Sequence, residues 1–345
     1  MATVDPFAVP AGVAGYLEWC SGTLFINRTF EAWKAYQGRP QGAPLDSATQ
    51  ALLQTITHET YHFLQITVTG FAYQFACLLF GEIRKQINPP LDETRLRELR
   101  ASPPEPSAGL RFLAGFLDEP DADGLSTRDI LESAAFLYEY KTHYTGLSAQ
   151  GYSSLLEANC PSPEYRKAYD LTVKVLGNRA FDEYLSLSVA ALCFAEPNKV
   201  FVDILSAARN CRHVRAVEYI RSIASRVAAR HQAIGSAAQV AFEGTSPLGK
   251  LQHPIYTPAV VALNNSSFDP FEVLTNPSYL GRGVAESLVR PILLKDGVLW
   301  LPSATMERLK SNHPLEDQMR ATVIMGAIAL GITSNRINVA SYRKL

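Results

Sequence analysis

An HExxH motif at residues 58–62 restricts the fold of this chain more than any other feature of its sequence. Side chains four residues apart lie one above the other on an α-helix, so a helix here would direct the imidazoles of His58 and His62 at one point. Two imidazoles at that separation are what a tetrahedral zinc ion takes from a single segment, and Glu59 stands beside them as a candidate general base. The motif therefore predicts a helix that carries two metal ligands.

The sequence around the motif is typical of a long, largely buried helix. Asp46 and Ser47 offer an N-terminal cap, apolar residues recur at helical spacing, and no proline follows until Pro89. Gly70 interrupts the pattern, and we expect helix on both sides of it across residues 47–87. Histidines and a glutamate inside such a helix need hydrogen-bonding partners or a metal ion to offset their desolvation. The alternative is that His58 and His62 are surface histidines or hydrogen-bonded core histidines without a metal.

A second helix, at residues 127–145, is predicted to supply the third metal ligand. Ser126 and Asp129 have the spacing of a capping box at its start, and the small residues 133–135 would let the helix approach a neighbour closely. Glu132 lies beside these small residues, where a carboxylate is poorly placed for water and well placed for a metal ion. We therefore predict Glu132 as the third ligand.

Glu139 and His143 follow Glu132 on the same face of this helix, at spacings of seven and four residues. We predict that Glu139 orients a ligand histidine. Tyr140 and His143 could donate hydrogen bonds to a developing oxyanion. A solvated acidic face is the alternative for Glu139 and His143, and a place in the core is the alternative for Tyr140.

Two stretches together resemble the gluzincin branch of the HExxH metallopeptidases: His58-Glu59-x-x-His62-x-x-Gln65 and Glu132-x-x-Ala135-x-x-x-Glu139. The resemblance covers roughly residues 47–145. Two features of that group are missing, because the glutamate helix lacks the form Asn-Glu-x-x-Ser-Asp and no edge strand is recognisable before the metal helix.

The resemblance implies a metal-dependent hydrolase, peptidase-like or amidase-like, that acts on a peptide or small-molecule substrate. It implies zinc ligation by three residues, His58, His62 and Glu132. Glu59 would then activate a metal-bound water for attack on an amide-type bond, with Gln65 and Glu139 lying beside the ligands.

Two histidines and one carboxylate also form the facial triad of non-haem iron oxygenases. Some HExxH proteins with roles in natural-product biosynthesis are iron- and 2-oxoglutarate-dependent hydroxylases, and this chain could be similar to them. The same three residues would then hold Fe²⁺. The co-substrate carboxylate would need an arginine, for which the candidates are Arg282, Arg290 and Arg343.

Two further kinds of site remain open. A ferritin-like di-metal site would combine Glu59 and His62 with Glu132 and Glu139, but it normally carries an ExxH motif on each of two helices. Here Glu139 and His143 are four residues apart, so the second motif is absent. A non-enzymatic structural site would close its shell with a fourth ligand, His143 or Glu139.

The whole chain is predicted to be mainly α, with a helical metalloenzyme core and a small β-hairpin or irregular region towards the C-terminus. We assign residues 1–245 to a helical metal-binding domain, and residues 246–345 to an irregular and hairpin segment with a C-terminal helix, packed on the same domain. Asp296-Gly297 marks the hairpin turn. Helices are predicted at 13–38, 47–87, 94–100, 108–118, 127–145, 163–176, 180–195, 199–208, 213–233 and 314–331.

Composition narrows the functional classes further. A net charge of −1 over 345 residues gives no support to nucleic-acid binding. The five cysteines are scattered without a CxxC pair, which argues against a disulfide framework or a thiolate zinc site. The N-terminus lacks the pattern of a signal peptide, and the apolar run 321–332 is too short to span a bilayer. We expect a cytoplasmic protein without a membrane segment, and no pattern specifies its oligomeric state.

Overall fold

The computed structural model describes residues 14–19, 23–26, 38–40, 44–87, 107–144, 146–210, 218, 256, 270–278, 289–294 and 297–302. The predicted helices at 94–100 and 314–331 lie outside these residues, as does all of 213–233 except Glu218. The division of the chain at residue 245 also stays a prediction.

Helices dominate the described part of the chain, so the predicted mainly α fold class is confirmed at that level. Two 3-10 turns, Pro163–Tyr165 and Gly177–Arg179, separate some of the helices. The helices are α1 (Ser47–Val68), α2 (Gly70–Ile87), α3 (Ala108–Phe116), α4 (Thr127–His143), α5 (Ala149–Asn159), α6 (Lys167–Leu176), α7 (Ala180–Ala191), α8 (Pro197–Arg209) and α9 (Pro270–Thr275).

The helix that carries the HExxH motif begins and ends as its sequence predicts. Asp46 caps α1 by accepting a hydrogen bond from the Thr49 N–H at 2.7 Å. Thr69 has an extended backbone, and its N–H donates to the carbonyl of Gln65, which closes the last turn. The chain then restarts as α2 at Gly70, and α1 and the first part of α2 are bent by 92°. The motif consequently lies in the buried second half of α1.

Local polar contacts also set the start of α4. Ser126 and Asp129 form the predicted capping box, since each side chain accepts a hydrogen bond from the backbone N–H of the other residue. Just before it, Gly124 has a φ of 74°, a left-handed conformation that glycine adopts at little steric cost. The cap fixes the first turn of α4, and Glu132 follows one turn later.

The core lies where α4 packs along α1. The rings of Tyr61 and Tyr138, one from each helix, meet with centroids 4.3 Å apart. Their hydroxyls donate to the carbonyls of Leu274 and Val273 at 3.1 and 2.8 Å, which fixes α9 on the same core. The buried phenols are thereby satisfied by main-chain acceptors, as buried tyrosines require.

The helix predicted at residues 13–38 is wrong at residues 15–18 and 23–26, where the structure has strands. β1 (Gly15–Glu18) and β2 (Thr23–Ile26) pair antiparallel. β2 also pairs with β4 (Gly297–Pro302), so that a four-stranded sheet runs in the order β1-β2-β4-β3. The residue types of Thr23–Ile26 suit a strand. One partner, β1, is adjacent in sequence, but the other, β4, is remote, and local periodicity gives no sign of that pairing.

The C-terminal strands form the other side of this sheet. β3 (Val289–Leu294) pairs antiparallel with β4, ending at the pair Leu294 and Gly297. Residues 295–296 lie outside the described part, so the predicted turn geometry at Asp296-Gly297 stays a prediction. In the described ranges no single helix is long and apolar enough to cross a bilayer; α1 and the start of α2 meet that criterion only together, across their bend.

Candidate metal centre

The donor atoms of His58, His62 and Glu132 meet between α1 and α4. The two Nε2 atoms lie 3.2 Å apart, and the Glu132 Oε2 lies 3.2 Å from His58 Nε2 and 3.3 Å from His62 Nε2. Within the described ranges these three residues form the one cluster of histidine, cysteine and carboxylate side chains that could hold a metal ion. The predicted convergence of the three side chains is therefore confirmed.

Each imidazole is held by a hydrogen bond at its Nδ1, while its Nε2 is the atom that converges with the other donors. His58 Nδ1 donates to the Glu139 Oε2 at 3.2 Å, because an ionised carboxylate can only accept. His62 Nδ1 donates to the Gln65 Oε1 at 2.8 Å, and the amide is oriented by its own Nε2, which donates to the Leu131 carbonyl at 3.4 Å. In the neutral rings each Nε2 then presents its lone pair to the centre, next to a carboxylate oxygen.

Three converging lone pairs require a positive charge between them. Burial alone would keep His58 neutral, but hydrogen bonds to Glu132 and Glu139 raise the pKa of His58 well above its ordinary value. Burial alone would also raise the pKa of Glu132, yet the charge of His62 and the hydrogen bonds from both histidines lower it well below its usual range. The centre therefore takes up either a proton or a metal cation, and a metal ion would displace the proton.

The spacing of the donor atoms lets one ion contact all three. Their separations of 3.2 and 3.3 Å are compatible with metal–ligand bonds of about 2.0–2.1 Å. Two imidazoles and one carboxylate are a donor set that both zinc and non-haem iron accept.

Glu59 is buried beside this cluster. Burial raises the pKa of Glu59 to about 7, while the charges of His58 and His62 and a hydrogen bond from the backbone of Leu17 oppose the rise. Leu17 belongs to β1, which is one of the two edge strands of the described sheet and packs against α1. An edge strand before the metal helix is thus present, although none is recognisable in the sequence. With only four residues in β1, the segment is too short for its pattern to stand out.

Tyr140 and His143 lie on α4 but make their described contacts away from the three donor atoms. The Tyr140 ring stacks on Tyr144 with centroids 5.3 Å apart and packs on Phe136. His143 Nε2 lies 2.8 Å from the hydroxyl of Thr57, the residue before the motif. Burial lowers the pKa of His143. The structure therefore brings Gln65 and Glu139 to the ligands, while roles for Tyr140 and His143 in catalysis stay predictions.

The sequence gives no sign of Tyr165, whose ring packs beside the ligand His58. Its ring centroid is 5.6 Å from that of His58 and 5.5 Å from that of Phe136. Its 3-10 turn is fixed on α4 next to Glu132, because the Ser133 hydroxyl donates to the Glu164 carbonyl at 2.9 Å. Burial, together with the nearby negative charge of Glu132, raises the pKa of Tyr165 well above its usual value. Tyr165 belongs to neither motif helix, so no spacing rule singles it out.

No protein-family model, no curated protein and no solved structure matches this chain. The resemblance to the gluzincins accordingly depends on the HExxH motif, the later glutamate and the geometry that joins them. Function must be argued from the chemistry of this centre rather than from relatives.

Proposed function

We propose that the protein is a zinc-dependent hydrolase, peptidase-like or amidase-like, that cleaves an amide-type bond in a peptide or small molecule. One observation carries the proposal: three oriented donor atoms from His58, His62 and Glu132 converge closely enough to share one metal ion, with the carboxylate of Glu59 buried beside them. Among common protein functions, this combination is typical of metal-assisted hydrolysis.

The number of ligands among the described residues supports a catalytic role over a structural one. Structural zinc sites take four protein ligands and are closed, whereas catalytic sites take three and leave a position for water or substrate. Glu139 faces the Nδ1 side of His58, so it does not join the three converging atoms as a fourth ligand. The Glu132 side chain is 18% exposed, so it is not wholly enclosed by protein.

Each residue then has a definable part in the reaction. A bound zinc ion would polarise the scissile carbonyl and lower the pKa of a coordinated water to about 7. Glu59 accepts the proton of the attacking water, held in place by the backbone of Leu17. The phenol of Tyr165 donates a hydrogen bond to the developing oxyanion. Glu139 and Gln65 keep the two imidazoles in the ligating orientation, so little reorganisation precedes reaction.

The decisive experiment combines metal analysis with two variants. Protein purified without chelator or added metal should contain about one zinc ion per chain, as a three-ligand catalytic site requires. His62→Ala should lose both metal and activity. Glu59→Gln should keep the zinc and lose most of its turnover of a fluorogenic peptide library and of aryl amides, whereas Glu157→Gln, at an exposed position of α5, should change neither.

Other outcomes would overturn this proposal. Full activity of Glu59→Gln would remove Glu59 as the base. About one iron per chain, with a spectrum that 2-oxoglutarate perturbs under anaerobic conditions, would move the function to a non-haem iron oxygenase with the same three ligands. Two irons per chain would indicate a di-metal site, and metal absent from both proteins would contradict a metalloenzyme altogether.

A further inference from the structure

A cavity with a volume of about 430 Å³ lies at the C-terminal end of α4. It is bounded by Lys141 and the loop that follows the helix, by Phe181 at the start of α7, and by Pro277 and Ser278 after α9. Lys141 is nine residues beyond Glu132, which places it about 13 Å along the helix and on the opposite face. The cavity, here called the Lys141 pocket, is therefore separate from the metal centre. Its volume is in the range of small-molecule sites.

The ammonium of Lys141 is largely withdrawn from water, and among the described residues its nearest carboxylate is that of Asp182. Its side chain is 17% exposed, and the Nζ lies 4.1 Å from the centroid of the Phe181 ring. The carboxylate of Asp182 is 4.0 Å away, too far for a hydrogen bond, and is itself 75% exposed. Burial lowers the pKa of Lys141, with Asp182 opposing that change. Lysine is rarely buried unless it is paired. Among the described residues the ammonium has only the ring of Phe181 and the carboxylate of Asp182 at 4.0 Å, so a ligand in the cavity could supply a closer anionic partner.

We propose that the Lys141 pocket binds a small organic carboxylate with an apolar body. The carboxylate pairs with the Lys141 ammonium, and the apolar body contacts Phe181, Leu147 and Pro277. A single ammonium balances one negative charge, and Asp182 at the rim repels any further negative charge. These features favour a carboxylate monoanion over a phosphate ester. Because the pocket is separate from the triad, this inference stands or falls independently of the proposed hydrolysis.

The test uses phenylacetate and its uncharged analogue phenylacetamide as probes of the full-length protein, with Kd measured by calorimetry or ligand-observed NMR. Wild-type protein should bind phenylacetate at least about tenfold more tightly than phenylacetamide, as expected for a charge-assisted contact that is partly buried. Lys141→Met should weaken phenylacetate binding by at least about tenfold. Lys174→Met, which removes an exposed lysine of α6, should leave the Kd unchanged.

A variant that should bind phenylacetate more tightly distinguishes a specific effect on binding from misfolding, which could only weaken it. Asp182→Asn should tighten phenylacetate binding by about two- to fivefold, because an exposed charge that competes for the same ammonium is removed. His62→Ala should bind phenylacetate as the wild type does. Binding that is lost in His62→Ala and kept in Lys141→Met would place the carboxylate on the metal and overturn the proposal. Failure of the wild type to bind phenylacetate, or its shorter and longer homologues, would overturn it as well.

Discussion

Two side chains of opposite charge, near the two ends of α4, are buried to nearly the same degree but have different partners. The Glu132 side chain is 18% exposed and that of Lys141 is 17% exposed. The Glu132 Oε2 lies within 3.3 Å of two imidazole nitrogens, whereas the Lys141 Nζ faces an aromatic ring and a carboxylate 4.0 Å away. Burial alone therefore does not distinguish the two sites. The difference lies in how many fixed partners surround each charge.

That difference separates a preformed site from one completed by a ligand. Around Glu132 the partners come from α1 and are themselves held by Glu139 and Gln65, so the donor atoms are in place before any ion arrives. Around Lys141 the nearest described carboxylate is 4.0 Å away and largely exposed, and the ammonium lines a cavity. Substitutions at the first end should change metal binding and chemistry, and those at the second should not.

The largest effect is expected from Glu132→Gln. Removing the charge of a ligand should weaken zinc affinity by more than about 100-fold, beyond what loss of an orienting partner causes. Competition with a chromophoric chelator measures this affinity. Lys141→Met, at the other end of the helix, should leave zinc affinity unchanged. Equal losses in the two variants would mean that they act through general destabilisation and would remove the contrast between the ends.

Tyr165→Phe should lower kcat by about 100-fold, a loss typical of a missing oxyanion donor. KM and zinc content should stay close to the wild-type values, because the ring that packs beside His58 is kept. Steady-state kinetics on the best amide substrate, with metal analysis of the same sample, measures both quantities. Unchanged turnover would make Tyr165 a packing residue of the centre and no more.

A graded effect is expected at Glu139. Glu139→Gln keeps an oxygen that can accept from His58 Nδ1 and should weaken zinc affinity by about tenfold, whereas Glu139→Ala should weaken it by up to about 100-fold. The same chelator competition measures the series, with Glu157→Gln as the exposed control. Identical losses for the amide and alanine variants would indicate that the charge of Glu139, rather than its hydrogen bond, supports the ligand.

The smallest effect is the change that Lys141→Met should cause in the free energy of unfolding. Without a bound carboxylate, Lys141→Met should leave the free energy of unfolding unchanged or raise it by up to about 1 kcal/mol, since a poorly paired buried charge gives way to an apolar side chain of similar length. Urea unfolding in the presence of a chelator isolates this effect from metal binding. Destabilisation by more than about 1 kcal/mol would show that Phe181 and Asp182 already satisfy the ammonium.

The predictable parts of this fold are those whose causes are local. Asp46, Ser126 and Asp129 are cap residues at fixed offsets, and the helices begin where these residues predict. The spacing of His58 and His62 then requires their nitrogens to converge, and Glu132 follows from its place after the second cap. Burial of α1 is equally evident from its apolar pattern.

The parts that escaped prediction depend on contacts distant in sequence. β2 takes part of its stabilisation from β4, which no pattern within Thr23–Ile26 reveals. Tyr165 lies beside His58 because the Ser133 hydroxyl fixes its 3-10 turn on α4. A single serine in a sequence does not indicate such a contact. The interruption near Gly70 was predictable, but its 92° bend was not, because the angle is set by what packs on each side.

The hydrogen bonds of Gln65 depend on how α1 and α4 are placed relative to each other at the centre. Its buried amide accepts from His62 on α1 and donates to the main chain of α4 at Leu131, so it bridges the two helices through one planar group. A shift of one helix along the other would lengthen one of these hydrogen bonds and change the electron density at the His62 ring. The ¹⁵N resonance of His62 Nδ1 would therefore register helix separation directly, without substrate and without metal.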